Sequence, residues 1–206
     1  MNTKKNDTHV SIADFLFEIG TMRKIARSHR QTLLTDDLSD NIASHSFRVT
    51  VIGYLIAVGE KLDPFKVVMM CLTHDIGETR SGDQNWIHRR YVFVDEETIS
   101  KDQFTGPLRG LRKFVAEFNQ RKSPEAMAAK DADTLDQLIA QKEYAHTGNR
   151  EAAIWLEGKR VKIKYKKVAE LKTATAKKIG VAIYDRGVSE WWKYVWTNEP
   201  RRKPHA

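Results

Sequence analysis

Apolar residues recur at spacings of three and four along most of this chain, the pattern of helices that bury one face. Ser11 and Asp14 open the first such segment as a variant capping box, and Ile12, Phe15, Leu16, Ile19 and Met22 follow at helical spacing. The polar stretch 35–41 separates it from a second helix over Ile42 to Val58. Asp63-Pro64 supplies an N-cap and a first-turn proline to a third helix, running to about Glu78. Gly82 to Tyr91 reads as loop, and Pro107 to Phe118 as another amphipathic helix. Ser123-Pro124 opens a long helix that ends near His146, ahead of Thr147-Gly148-Asn149. Val161 to Tyr165 alternates with lysine like a strand, but Val161, Tyr165, Val168 and Leu171 continue one helical face, so helix is expected. The expectation is an all-α fold with one domain over 11–197, a flexible N-terminus over 1–10 and a basic tail over 198–206.

With 206 residues the chain can bury one proper core, and 41% hydrophobic against 30% charged residues excludes a disordered polymer. No apolar run approaches the roughly 20 residues of a membrane helix. The first seven residues lack the apolar core of a secretory signal. Cys71 is the single cysteine and cannot form an internal disulfide. Together these predict a cytoplasmic protein with no membrane partner. The net charge of +8 suits nucleic acid, anionic membrane and small phosphorylated molecules alike. Nine of the basic residues fall between Lys159 and Lys178, a run that also fits a solvated face.

Chemistry concentrates in Leu72-Thr73-His74-Asp75-Ile76-Gly77-Glu78, which follows the apolar run 67–71. Ionisable groups at the end of so apolar a helix need partners, because desolvating them is costly. Glu78 lies four residues after His74 and so projects over the same face. His45 shares a face with Val49 and Ile52, and two histidines on adjacent apolar helices invite a shared ion, imidazole being the commonest metal donor. Lys130-Asp131-Ala132-Asp133-Thr134-Leu135-Asp136 places three aspartates inside a helix. Periodicity leaves open which one points inward: Asp131 shares a face with Leu135 and Leu138, Asp133 with Ala129 and Ala140.

The order His45, then His74-Asp75, then a distant aspartate resembles the HD-domain metal-dependent phosphohydrolases, and most closely the branch containing the 5′-deoxynucleotidases. The likeness runs through His45-Ser46-Phe47-Arg48-Val49, residues 74–83, Val94-Asp95-Glu96-Glu97, residues 130–136 with Glu143-Tyr144, and Ser189-Glu190-Trp191-Trp192. It implies a helical bundle with a metal site between its central helices. It also picks Asp133 as the fourth ligand beside His45, His74 and Asp75. Two imidazoles and two carboxylates suit one divalent Mn, Co, Fe, Ni or Zn ion, with Mg also possible.

Glu78 is the expected proton-transfer residue, and by resemblance Asp83 faces the leaving group and shares that work. Arg27 matches the family's arginine, and Arg48, one turn after His45, is expected to reach the same cavity. Where the family carries a tryptophan after that arginine, this chain reads Arg27-Ser28-His29-Arg30. Arg30 is therefore expected either to bind phosphate and loosen sugar discrimination, or to face solvent and leave the slot to His29. The function implied is release of phosphate from nucleoside 5′-monophosphates, with 2′-deoxynucleotides as the expected class. The alternatives are a triphosphohydrolase of the same fold or a nucleotide- or nucleic-acid-binding module. A small nucleotide is the expected partner rather than nucleic acid, and surplus apolar helix surface suggests a homodimer.

Overall fold

The computed structural model describes residues 8–157, 166–193 and 195. Among them the elements in chain order are α1 (Thr8–Gly20), a 3-10 turn (Thr21–Lys24), α2 (Arg30–Leu33), α3 (Ile42–Glu60), α4 (Pro64–Thr73), α5 (Glu78–Ser81), α6 (His88–Tyr91) and α7 (Glu96–Gln103). A second 3-10 turn (Gly106–Leu111) leads to α8 (Arg112–Gln120), α9 (Pro124–His146), α10 (Arg150–Glu157), α11 (Lys166–Glu170), α12 (Ala174–Asp185) and a last 3-10 turn (Glu190–Trp192). The only pairing outside helices among the described residues is one antiparallel bridge between Ala26 and Asn41. The fold is all-α, as the periodicity predicts.

Local chemistry accounts for the main boundaries. The Asn41 side chain accepts from Ser44 N at 3.0 Å to start α3, Asp63 accepts from Phe65 N and Lys66 N to start α4, and Ser123 accepts from Ala126 N to start α9. Gly148, at φ +95°, turns the chain after α9. The N-terminal helix begins at Thr8 rather than Ser11, so residues 8–10, expected to be flexible, are helical. The loop expected over 82–91 closes with the short α6, and the helix expected from Pro107 starts as a 3-10 turn. Residues 161–165, where strand and helix patterns compete, and the tail over 198–206 lie outside the described residues.

The core is built on α9. Ala126, Ala128, Ala129 and Ala132 are fully buried, and their small side chains let α3 and α4 approach the middle of α9. Val49, Ile56, Val67, Met70, Leu135 and Leu138 fill the space between these helices, with Phe114 and Phe118 of α8 along one side. A second cluster joins Phe15, Met22, Ile42, Ile76, Phe104 and Val115, and ties α1 to the segment after α4. By length and hydropathy α3 could cross a membrane, contrary to the reading from sequence. It is instead a core helix, with His45, Val49, Ile52 and Ile56 packed inside the bundle.

The third helix stops short. It was expected to reach Glu78, but α4 ends at Thr73 and residues 74–77 form tight turns, with Ile76 N bonded to Thr73 O and Glu78 N to Asp75 O. That i→i−3 pattern tightens the backbone and delivers His74, Asp75 and Glu78 to one cavity from a turn rather than a continuous helix.

Candidate metal centre

Three helices converge on one point. The Nε2 of His45 from α3 lies 3.3 Å from Asp133 Oδ1 of α9 and 3.3 Å from Asp75 Oδ2. His74 Nε2, at the end of α4, lies 3.1 Å from the same Asp75 oxygen. One atom each of His45, His74 and Asp133 falls within 4.8 Å of the others, close enough to share a metal ion.

The second nitrogens of both rings are already committed. His45 Nδ1 donates to Asp136 Oδ2 at 2.6 Å, and His74 Nδ1 donates to Cys71 O at 2.7 Å. With Nδ1 spent in this way, each ring in its neutral form turns an Nε2 lone pair to the cavity, the arrangement of metal-ligating imidazoles. Burial and Arg27 oppose a charge on His45, but Asp133, Asp136 and Asp75 together raise its pKa well above the ordinary value. Both Nε2 atoms are buried and lack a hydrogen-bond partner. Two orphaned acceptors beside two buried carboxylates fit a divalent cation of the nitrogen- and oxygen-binding kind.

Electrostatics agree. Burial opposes the charge on Asp75 and Asp133, yet the histidines hold Asp75 well below the usual carboxylate range, and Lys130 with His45 does the same for Asp133. Burial acts the other way on Glu78. It pushes that carboxyl up to about 10, and the neighbouring charges of Asp75 and Asp83 reinforce the shift. Glu78 Oε2 is itself buried without a partner.

The cavity has two arms, each of about 270 Å³, which share Asp75, Glu78, Gln84, Arg89, Lys130 and Asp133 at their junction. Arg27 lines one arm. It is almost fully buried, its Nη1 bonds Asp75 Oδ2 at 3.2 Å and its Nε lies 3.5 Å from Asp83 Oδ2. Burial disfavours its charge, but Asp75, Asp83, Asp133 and Glu78 overcome that and keep the guanidinium firmly protonated. Asp83 also accepts from Ser28 N at 2.6 Å, so it anchors the backbone that carries Arg27.

Two expected substrate contacts lie elsewhere. Arg48 does not reach this cavity: its Nε bonds Asp136, its Nη1 bonds Glu143 at 2.8 Å, and it lines a hollow on the other side of His45. Its geometry makes it a brace for Asp136. Arg30 lines a separate shallow hollow, donating to Thr35 O and facing the exposed Asp36, while His29 lines the metal cavity in its place. Arg30 is half-buried outside the metal cavity.

The three aspartates of α9 now separate. Asp131 accepts from Lys172 N, Thr173 N and Thr173 Oγ1, and so fixes the start of α12. Asp133 faces the cavity, and Asp136 orients His45. Lys130, whose Nζ lies 2.5 Å from Asp133 Oδ2, and Asp136 were not singled out from sequence. Their signal was spacing: Asp136 is one turn from Asp133, and Lys130 one turn before it. Of the other segments carrying the likeness, Asp95 caps α7 through Thr98 N, and Glu190 accepts from Gly187 N, both structural tasks.

Comparisons with known proteins bear on this geometry. A family model described as an HD domain matches residues 21–175. A 5′-deoxynucleotidase of Dictyostelium discoideum is 24% identical over 123 residues, 52% of this chain and 64% of that protein, so the chain spans under two thirds of that relative's length. Among solved structures, a conserved hypothetical protein from Pyrococcus furiosus superposes with a TM-score of 0.65 at 20% identity, covering 83% of this chain and 98% of that one. A predicted metal-dependent phosphohydrolase from Magnetospirillum magnetotacticum does so with a TM-score of 0.64 at 21% identity, covering 90% and 95%. The match over residues 21–175, with the histidines and aspartates of the convergence point inside it, establishes that the chain belongs to the HD-domain family.

Proposed function

We propose that the protein is a metal-dependent phosphohydrolase that releases phosphate from nucleoside 5′-monophosphates, with 2′-deoxynucleotides as the favoured class. The observation that carries the reading is the pair of orphaned Nε2 atoms of His45 and His74 beside Asp75 and Asp133, next to a cavity that also holds Glu78 and Arg27. His45, His74, Asp75 and Asp133 would hold one divalent ion. When bound, such an ion supplies charge neutralisation for a phosphoryl group and acidifies water.

The chain's own groups do the rest. Arg27 offers a fixed positive charge to a phosphoryl oxygen, and Lys130, bonded to Asp133, offers its remaining N–H bonds. Glu78, kept protonated by burial, is placed to give a proton to the departing ester oxygen. Asp83 holds Ser28 and Arg27 in position, and this restraint is the part of the proton work it supports. Arg30 lies outside the cavity, which removes the added charge that favoured longer phosphate chains, so the monophosphate reading is preferred over the triphosphate one. The same reading makes the protein a cytoplasmic enzyme of nucleotide metabolism and a homodimer.

The test is a phosphate-release screen over nucleoside mono-, di- and triphosphates, with Mn, Co, Mg and Zn supplied in turn. Release from monophosphates above all others is expected. Release from triphosphates alone, or no release with any metal, overturns the reading.

A further inference from the structure

Beyond the metal junction, one arm of the cavity runs along α9 between Trp86 and Trp155. Gln141 lines this arm and is only 7% exposed, yet its amide has no hydrogen-bond partner among the described residues. Both amide atoms keep contact with the arm's interior, so its donor and its acceptor are open to water or to a ligand there. The other arm offers only half of that pattern. Its buried amide, Gln103, spends its nitrogen on Glu18, Ile76 and Thr79 and keeps only its oxygen unpartnered, and no indole lines that arm.

Spacing along α9 orders the arm. Asp133, Gln137 and Gln141 follow one another at four-residue steps and so share a face, each step about 6 Å along the axis. Gln137 accepts from Lys167 Nζ at 3.4 Å, which orients its amide nitrogen. Trp86 stands at the rim, 66% exposed, on a turn that Asn85 pins by donating to Ser28 O and accepting from Ile87 N and His88 N.

From this placement we infer that the Trp86–Trp155 arm is the nucleobase subsite, with Gln141 hydrogen-bonding the edge of the base and the indoles covering its faces. The inference rests on the phosphohydrolase reading and deepens it. With the phosphate at Asp133 and Arg27, the sugar passes Gln137 and the base reaches Gln141, a run on the scale of one mononucleotide. An amide carries a donor and an acceptor side by side, the pattern that matches a base edge, while stacking on indole accepts any base.

The experiment compares kcat/KM for deoxyadenosine 5′-monophosphate with that for base-free 2-deoxyribose 5-phosphate, on the full chain. The wild type is expected to prefer the nucleotide. Gln141→Leu, which keeps the size and removes the hydrogen bonds, should lower that preference about 3–10-fold. Trp155→Ala should lower it about tenfold or more, and Phe93→Ala in the other arm should leave the ratio alone. Equal losses on both substrates, an unchanged ratio in Gln141→Leu, or a fall of the ratio in Phe93→Ala overturns the inference. If neither compound releases phosphate, the phosphohydrolase reading fails by itself. Deoxyadenosine binding, followed by indole fluorescence, then decides the subsite: weaker binding in Gln141→Leu and Trp155→Ala supports it, and equal binding rejects it.

Discussion

Asp131, Asp133 and Asp136 lie within two turns of one helix and do three different things. Asp133→Ala is expected to abolish metal binding, while Asp131→Ala keeps the ion and lowers stability, because it frees the backbone N–H groups of Lys172 and Thr173. Asp136→Asn should weaken metal affinity about 10–100-fold, because a single amide oxygen cannot accept from both His45 Nδ1 and Arg48 Nε and no longer carries the carboxylate charge. Metal content after dialysis ranks the three, and equal retention in all of them would contradict these assignments. Glu78→Gln should keep the ion and lose about 10²–10⁴-fold in turnover, since it preserves size and removes the exchangeable proton. Loss of metal in that variant would recast Glu78 as a ligand. Of these residues, His45, His74, Asp75 and Glu78 were legible because each interrupts an apolar run. The aspartates of α9 were not, since that helix is buried on several faces and periodicity cannot choose among them. Arg30 and Arg48 lie outside the cavity because a long side chain can turn to either side of its helix: Asp36 faces Arg30, and Asp136 and Glu143 of α9 hold Arg48.

Helix contacts carry two further predictions. A Cβ on Gly53 would sit 2.5 Å from Cys71 Sγ and 3.2 Å from Val67 Cγ1, so this glycine sets how closely α3 and α4 pack. Gly53→Ala should cost about 1–3 kcal/mol and lower the melting midpoint by several degrees. Adding Cys71→Ala removes the clashing sulfur and should recover part of that loss, and strict additivity in the cycle would reject the steric account. Glu18 links α1 to the turn after α4: it accepts from Arg80, Thr79 and Gln103. Arg80 foremost, then Gln103 and Thr79, hold its carboxyl below its ordinary 4.5, with partial burial opposing them. A depressed folded-state value means the stabilisation is fully present above pH 4.5 and is lost as pH falls through that lower value. Thermal melts of Glu18→Gln against wild type should therefore differ at neutral pH and converge in acid, and a constant gap would show that charge is not involved. Starts such as Asp63-Pro64 and Ser123-Pro124 were readable because a capping side chain and a proline act locally. The end of α4 at Thr73 was not, because Asp75 in the turn over 74–77 is held by the long-range partners Arg27 and His45.

On the scale of the whole molecule, periodicity alone was enough for an all-α fold, and the order of histidines and aspartates was enough for the family. Neither could describe the cavity. Its walls come from α9, α10, the segment 74–78 after α4 and the turns at 27–29 and 82–87, segments far apart in sequence whose meeting depends on the alanine face of α9. The central claim is that the junction of those walls becomes a phosphohydrolase site by holding one divalent ion through His45, His74, Asp75 and Asp133. It is tested most directly by stripping the protein with chelator and titrating Mn back while recording phosphate release from deoxyadenosine 5′-monophosphate. The account predicts no turnover in the stripped protein, recovery that saturates at one ion per chain, and no recovery in Asp133→Ala. Turnover without metal, or full recovery in Asp133→Ala, would contradict it.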